Sequence, residues 1–152
     1  MSQKIIIGII FCFISVLFAQ PPEFEYNYSP LSATILGQAS IEQSPASNRD
    51  WIAAFDPEGV CAGASEIFET DNRSNFILKI YGDDPSTEDL DEGLLEGDYF
   101  TFSFFDFSSN TIVNDTTKFY GWENRNGGWL NLIQNDSLLT LTNALKLNQL
   151  QV

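Results

Sequence analysis

Eight of the 21 acidic residues fall within sixteen consecutive positions: Asp83, Asp84, Glu88, Asp89, Asp91, Glu92, Glu96 and Asp98, with no Lys or Arg among them. Carboxylates gathered on one loop are the donors that Ca²⁺ takes, about six to eight oxygens being its usual complement. Asp83, Asp84, Asp89 and Asp91 are the candidate ligands, and a bound cation would relieve their mutual repulsion. The spacing is not that of an EF-hand, because a loop starting at Asp89 has Leu94 where the turn glycine belongs and Phe100 where the last carboxylate belongs. The competing reading is a solvated acidic loop that keeps the chain soluble. That reading is favoured, since a run of charge alone is poor grounds for a metal.

The second candidate is aromatic. Tyr120, Trp122, Asn124, Arg125 and Trp129 lie on a stretch rich in Asn and Gly. The rings could stack on a sugar while the amides and the guanidinium hydrogen-bond its hydroxyls, because aromatic side chains combine an apolar body with a polar edge. The bland alternative makes the tryptophans inward residues of a hairpin around an Asn-Gly turn. Of the two, Trp129 is the stronger core candidate and Trp122 stays open; Trp51, flanked by Ile52, Ala53 and Ala54, reads as core.

Other chemistry is thin. The chain has no histidine, which removes imidazole bases, His-based triads and His-liganded zinc. A glycosidase needs one protonated acid facing one ionised partner across a cleft, and no pair of acids stands out from the rest. The expectation is no enzymatic activity. Asp115-Thr116-Thr117 and Asp136-Ser137-Leu138 match the short Asp-Ser/Thr pattern of bacterial O-glycosylation, a match that arises often by chance.

The elements that must position these residues begin after a leader. Lys4 is followed by an apolar run from Ile5 to Phe18 that ends at Ala19-Gln20, the layout of a secretory signal peptide. The run is shorter than the roughly 20 residues that span a bilayer. Residues 1–19 are therefore expected to be removed, leaving residues 20–152 as one domain. Losing Lys4 and no acid leaves six basic against 21 acidic side chains, a net charge of −15. Such a surface is wrong for nucleic acid and for anionic membranes. Cys61 is the one cysteine after the leader, so no internal disulfide forms, and between Val60 and Ala62 it reads as a buried, inert thiol.

Alternation gives strands and almost no helix. Leu31, Ala33, Ile35, Gly37, Ala39 and Ile41 fall on one face of a strand, as do Phe76, Leu78 and Ile80, and then Phe100, Phe102 and Phe104. In the last of these, Thr101 and Ser103 are assigned to the opposite, wetter face. Trp51–Asp56 and Gly59–Ile67 form a hairpin through Asp56-Pro57-Glu58-Gly59, and Gln43–Asp50 is a turn. Weaker strands are Thr111–Val113, Lys118–Tyr120, Trp129–Ile133 and Leu138–Leu147, and Thr87–Leu95 is the one stretch that could turn helical. Six to eight short strands with at most one short helix predict an all-β, antiparallel β-sandwich, Ig-like or jelly-roll-like.

Several phrases stand in a definite order: Phe24-Glu25-Tyr26-Asn27-Tyr28-Ser29 before Ala33-Thr34-Ile35, then Asp50-Trp51-Ile52-Ala53-Ala54-Phe55-Asp56, then Gly59-Val60-Cys61-Ala62-Gly63-Ala64, then Phe76 to Tyr81-Gly82-Asp83-Asp84, then Gly97-Asp98-Tyr99-Phe100-Thr101-Phe102 through Phe104 to Asp106. Together they resemble a β-sandwich module common in secreted and surface proteins of Bacteroidota-like bacteria. The resemblance covers residues 24–107 and implies an extracellular module, often joined to adhesion or carbohydrate-active domains. It brings no functional residue with it. The resulting expectation is a non-catalytic adhesion or assembly module, secreted to the extracellular space or cell surface, with the periplasm as the other compartment. Its partner would be an extracellular protein or a glycan. The alternative is a small carbohydrate-binding domain, with calcium as its only conceivable cofactor.

Overall fold

The computed structural model describes residues 20–41, 44–130 and 145–149. The strands are β1 (Ser32–Ile41), β2 (Ser44–Pro45), β3 (Trp51–Phe55), β4 (Cys61–Glu66), β5 (Phe68–Thr70), β6 (Arg73–Tyr81), β7 (Tyr99–Asp106), β8 (Thr111–Asn114), β9 (Phe119–Tyr120) and β10 (Leu145–Gln149). One 3₁₀ turn, Pro22–Phe24, precedes them. Two antiparallel sheets result. The first, sheet A, runs β10-β1-β6-β5 with β2 folded back on β1; the second, sheet B, runs β4-β3-β7-β8 with β9 also on β7. The protein is an all-β sandwich.

The inner faces follow the alternation. Ala33, Ile35 and Ala39 of β1 and Phe76, Leu78 and Ile80 of β6 meet Ile52, Ala54, Ala62, Phe100, Phe102 and Phe104 of sheet B in one core. Size is matched across the strands. Phe102 stands opposite Ala54 in the β3–β7 register, and Phe76 stands opposite Gly37 in β1–β6. The Phe76 ring occupies the space a side chain at position 37 would need: a Cβ there would lie 2.3 Å from the ring.

β3 is apolar on both faces for a reason that alternation alone does not disclose. Its outward residues belong to a second, smaller cluster in which Ala53 and Cys61 are covered by Phe24, with Trp51, Phe55, Phe105 and Ile112 packed around them. The 3₁₀ turn is thus a strap across the outside of sheet B. The sheets close on each other where β4 meets β6: a Cβ on Gly63 would stand 2.1 Å from the Lys79 carbonyl oxygen, so only glycine permits that approach.

The hairpin Trp51–Ile67, the Phe76 and Phe100 strands and the strand at Thr111 stand as the sequence predicts. Several details differ. Thr87–Leu95 has no helix but consecutive turns, Thr87 N–H to Asp84 C=O and Leu90 N–H to Thr87 C=O. The chain is then drawn out again because Gly82 and Leu94 pair as a parallel bridge. Ser103 is buried rather than wet, and its hydroxyl donates to Asn114 Oδ1 at 2.8 Å. The strand predicted at Lys118–Tyr120 shortens to β9, and the short strands β2 and β5 carry too little pattern to be foreseen. Of the expected strand Leu138–Leu147, residues 138–144 lie outside the described residues, as do residues 131–133 of Trp129–Ile133 and the leader at 1–19.

Candidate interaction surface

The aromatic stretch places Trp122, left open by the sequence, inside and Trp129, the stronger core candidate, outside. Trp122 is 1% exposed and belongs to the main core, its ring lying on Gly82. Its backbone N–H donates to Asp98 C=O at 3.1 Å, and its own carbonyl accepts from Gly97 N–H at 2.8 Å. Its indole N–H is buried with no acceptor among the described residues. Trp122 cannot meet a sugar. Trp129, expected in the core, is 52% exposed.

What sends one tryptophan in and the other out is the backbone between them. Gly121, Asn126 and Gly127 all take positive φ, which breaks the two-residue period and turns the chain along the free edge of β1. There Arg125 and Gly127 N–H both donate to Ser32 C=O, Thr34 N–H donates to Gly128 C=O, and Leu130 N–H returns to Thr34 C=O. Asn124 is structural: its Oδ1 accepts from the amides of Ser32 and Asn126 at 3.0 and 2.9 Å. Arg125 is exposed and pairs with Glu123, and Tyr120 is exposed at the start of the stretch. Of the five predicted residues, only Tyr120, Arg125 and Trp129 are therefore on the surface.

The docked stretch leaves Trp129 beside Thr34 in a parallel bridge, and Thr34 pairs with Lys79 on its other side. These three form a row across the outer face of sheet A. One strand period away, about 7 Å, Leu36 pairs with Ile77, which is 49% exposed. Phe68 of β5, opposite Asn75, adds a further ring at 41% exposure. The outward Ile77 was legible, since it alternates with Phe76 and Leu78. The position of Trp129 beside Thr34 was not.

The acidic loop turns its carboxylates on itself. Glu92 is 2% exposed; its Oε1 accepts the Thr87 hydroxyl at 2.7 Å and its Oε2 the Asp84 amide at 3.2 Å. Asp84 Oδ1 accepts Ser86 N–H, and Asp91 Oδ1 accepts Gly93 N–H. Glu92 N–H donates to Asp83 Oδ1 at 3.4 Å, yet the two neighbouring carboxyls shift in opposite directions. Loss of hydration together with the Glu92 carboxylate pushes Asp83 up. Glu92 itself loses hydration, yet the Thr87 hydroxyl and Asp84 amide outweigh that and hold it below its ordinary value. Asp89 is exposed. Among the described residues no three Asp, Glu or Cys gather as a metal site, and the candidate ligands Asp83, Asp84, Asp89 and Asp91 are not brought together as one. Asp83, Asp84 and Asp91 instead cap loop amides.

Among the described residues no helix is long and apolar enough to cross a membrane. No family model, curated protein or solved structure matches the chain.

Proposed function

We propose that the protein is a secreted, non-catalytic module that docks onto another extracellular macromolecule through the outer face of sheet A. The observation that carries this reading is the exposure of Trp129, Ile77 and Phe68 on that face, with the half-buried Leu36 paired beside Ile77. Apolar residues clustered on an open sheet face, rather than scattered singly, are the mark of an interaction surface. The ring of Trp129 is carried by a backbone tied to β1 at four points, so little order remains to be acquired on binding. The order of motifs shared with surface modules of Bacteroidota-like bacteria supports the same reading, as does the leader-like start.

Ile77→Lys and Trp129→Ser, singly and together, test it. Both positions are open to solvent, so each substitution should change stability by about 0.5 kcal/mol. Together they should release the protein from the surface of the producing cells into the medium, read by fractionation. Retention equal to that of the unchanged protein would remove the proposal. Glycan-array binding that Trp129→Ser abolishes would favour the carbohydrate-binding alternative instead.

A further inference from the structure

The opposite side of the sandwich carries a groove of about 700 Å³. It runs over the outer face of sheet B between the Pro22–Phe24 strap and the β3–β4 turn on one side and residues 114–118 on the other. Its apolar wall is Phe24, Phe55, Tyr99 and Ile112, and its carboxylates are Glu23, Asp56, Glu58 and Asp115. Lys118 is its single base, and that ammonium lies over the Tyr99 ring at 4.1 Å from the centroid.

Three observations point to one ligand chemistry. The charge is one-sided, four acids against one base, and a cleft of single sign concentrates the opposite ion. The aromatic wall already holds an ammonium group, as ring faces do, while the ring of Phe55 stands edge-on to the buried Phe24 ring at 5.9 Å. Asp115 is 8% exposed and its Oδ1 accepts Thr117 N–H at 2.9 Å, but Oδ2 has no donor. A buried carboxylate oxygen without a donor is rare in native structures. Asp56 is buried too, and although Val60 N–H bonds to its carboxyl at 2.7 Å, burial, reinforced by the Asp91 and Glu58 charges, pushes that carboxyl above its ordinary value.

We propose that this groove binds an extended, basic peptide segment, with Arg or Lys stems along the aromatic wall and their cationic heads on Glu58 and Asp115. Lys118 then acts as an internal competitor that holds the Tyr99 ring until a guanidinium displaces it. The sign of that competition separates this ligand from every neutral one.

The test uses the purified protein titrated with a short peptide alternating Arg and Ser, and with the same peptide carrying citrulline for Arg. The Arg peptide should bind and weaken as salt is raised; the citrulline peptide should not bind. Exposed charge contacts shift affinity by roughly 1.5- to 5-fold, so Glu58→Gln should weaken binding by about threefold and Lys118→Ala should tighten it by about threefold, while Asp115→Asn, at a buried carboxylate, should weaken it at least as much as Glu58→Gln. Glu58 is on the surface, so its variant reports on the groove even where Asp115→Asn disturbs the fold. Glu69→Gln removes the same charge from β5 of the other sheet and should change nothing. Equal loss in Glu69→Gln and Glu58→Gln would reduce the effect to net charge and overturn the proposal. Lys118→Ala that leaves affinity unchanged or lowers it would overturn it too, as would citrulline-peptide or neutral-oligosaccharide binding as tight as that of the Arg peptide.

Discussion

The two tryptophans at 122 and 129 differ in what surrounds each ring, and their substitution should separate cleanly. Trp122 is enclosed by the main core, so Trp122→Ala should cost about 3–5 kcal/mol, the range for truncating a large buried ring. Trp129→Ala should fall within about 0.5 kcal/mol of the unchanged protein. Urea-unfolding midpoints check both. The carboxyls offer a sharper contrast, because they respond to pH with opposite sign. Asp106 is partly buried, but the hydroxyls and amides of Ser108 and Ser109 outweigh that and hold it below its ordinary 3.8. Its contribution is present above 3.8 and lost as pH falls through the folded value. Asp83 is raised, so its contribution is present below 3.8 and lost as pH rises through the folded value. Asp106→Asn should therefore lower the urea midpoint at pH 7, and Asp83→Asn should raise it, with both differences fading towards pH 2. A single direction for both variants would contradict the hydrogen bonding described.

At the scale of the element, two positions decide how strands and turns meet. Asp50 is buried at the start of β3, where Oδ2 accepts Ser47 N–H at 2.6 Å and Oδ1 accepts Phe107 N–H at 2.9 Å, while its carbonyl accepts Ile67 N–H at 2.8 Å. One residue ties the β2–β3 turn, the β7–β8 turn and the exit of β4. Asp50→Ala leaves two amides without acceptors and should cost about 2–4 kcal/mol, seen in a thermal melt, whereas Asp50→Asn keeps one acceptor and should cost less. Gly63→Ala should destabilise by about 1–3 kcal/mol, the usual cost of overpacking, because the added methyl meets the Lys79 carbonyl; an unchanged melt would mean that β4 and β6 lie further apart. The sequence made the strands legible where one face is buried and the other wet, as in Phe76–Ile80 and Phe100–Phe104. It failed where a second layer covers the outer face, as at Ser103, and where positive-φ residues cancel the period, as between Gly121 and Gly127. An alternating run carries information about a sheet; a Gly- and Asn-rich stretch carries none about which way its tryptophans face.

For the molecule as a whole, the excess of acid over base is the dominant long-range term. Most of the carboxylates described are exposed or bonded to their own loops, where solvent ions can screen their repulsion. Raising the salt should stabilise the protein, as the screening length falls from ~10 Å at 0.1 M to ~3 Å at 1 M. At matched ionic strength, melts in EDTA, Mg²⁺ and Ca²⁺ should coincide; a rise specific to Ca²⁺ would restore the calcium reading of Asp83, Asp84, Asp89 and Asp91. Composition announced the charge but not its disposition, since whether neighbouring acids point together or back to local amides depends on turns such as Asp84–Thr87. The strap over sheet B has a further consequence. Phe24 covers Cys61, whose thiol lies 3.5 Å from the Phe24 carbonyl oxygen and is pushed up to about 11 by burial. The sulfur is thus both shielded and protonated while the strap is down. Its rate of reaction with a thiol reagent is then a clock for the strap: each alkylation records a moment when residues 20–28 have lifted away while the two sheets remain together.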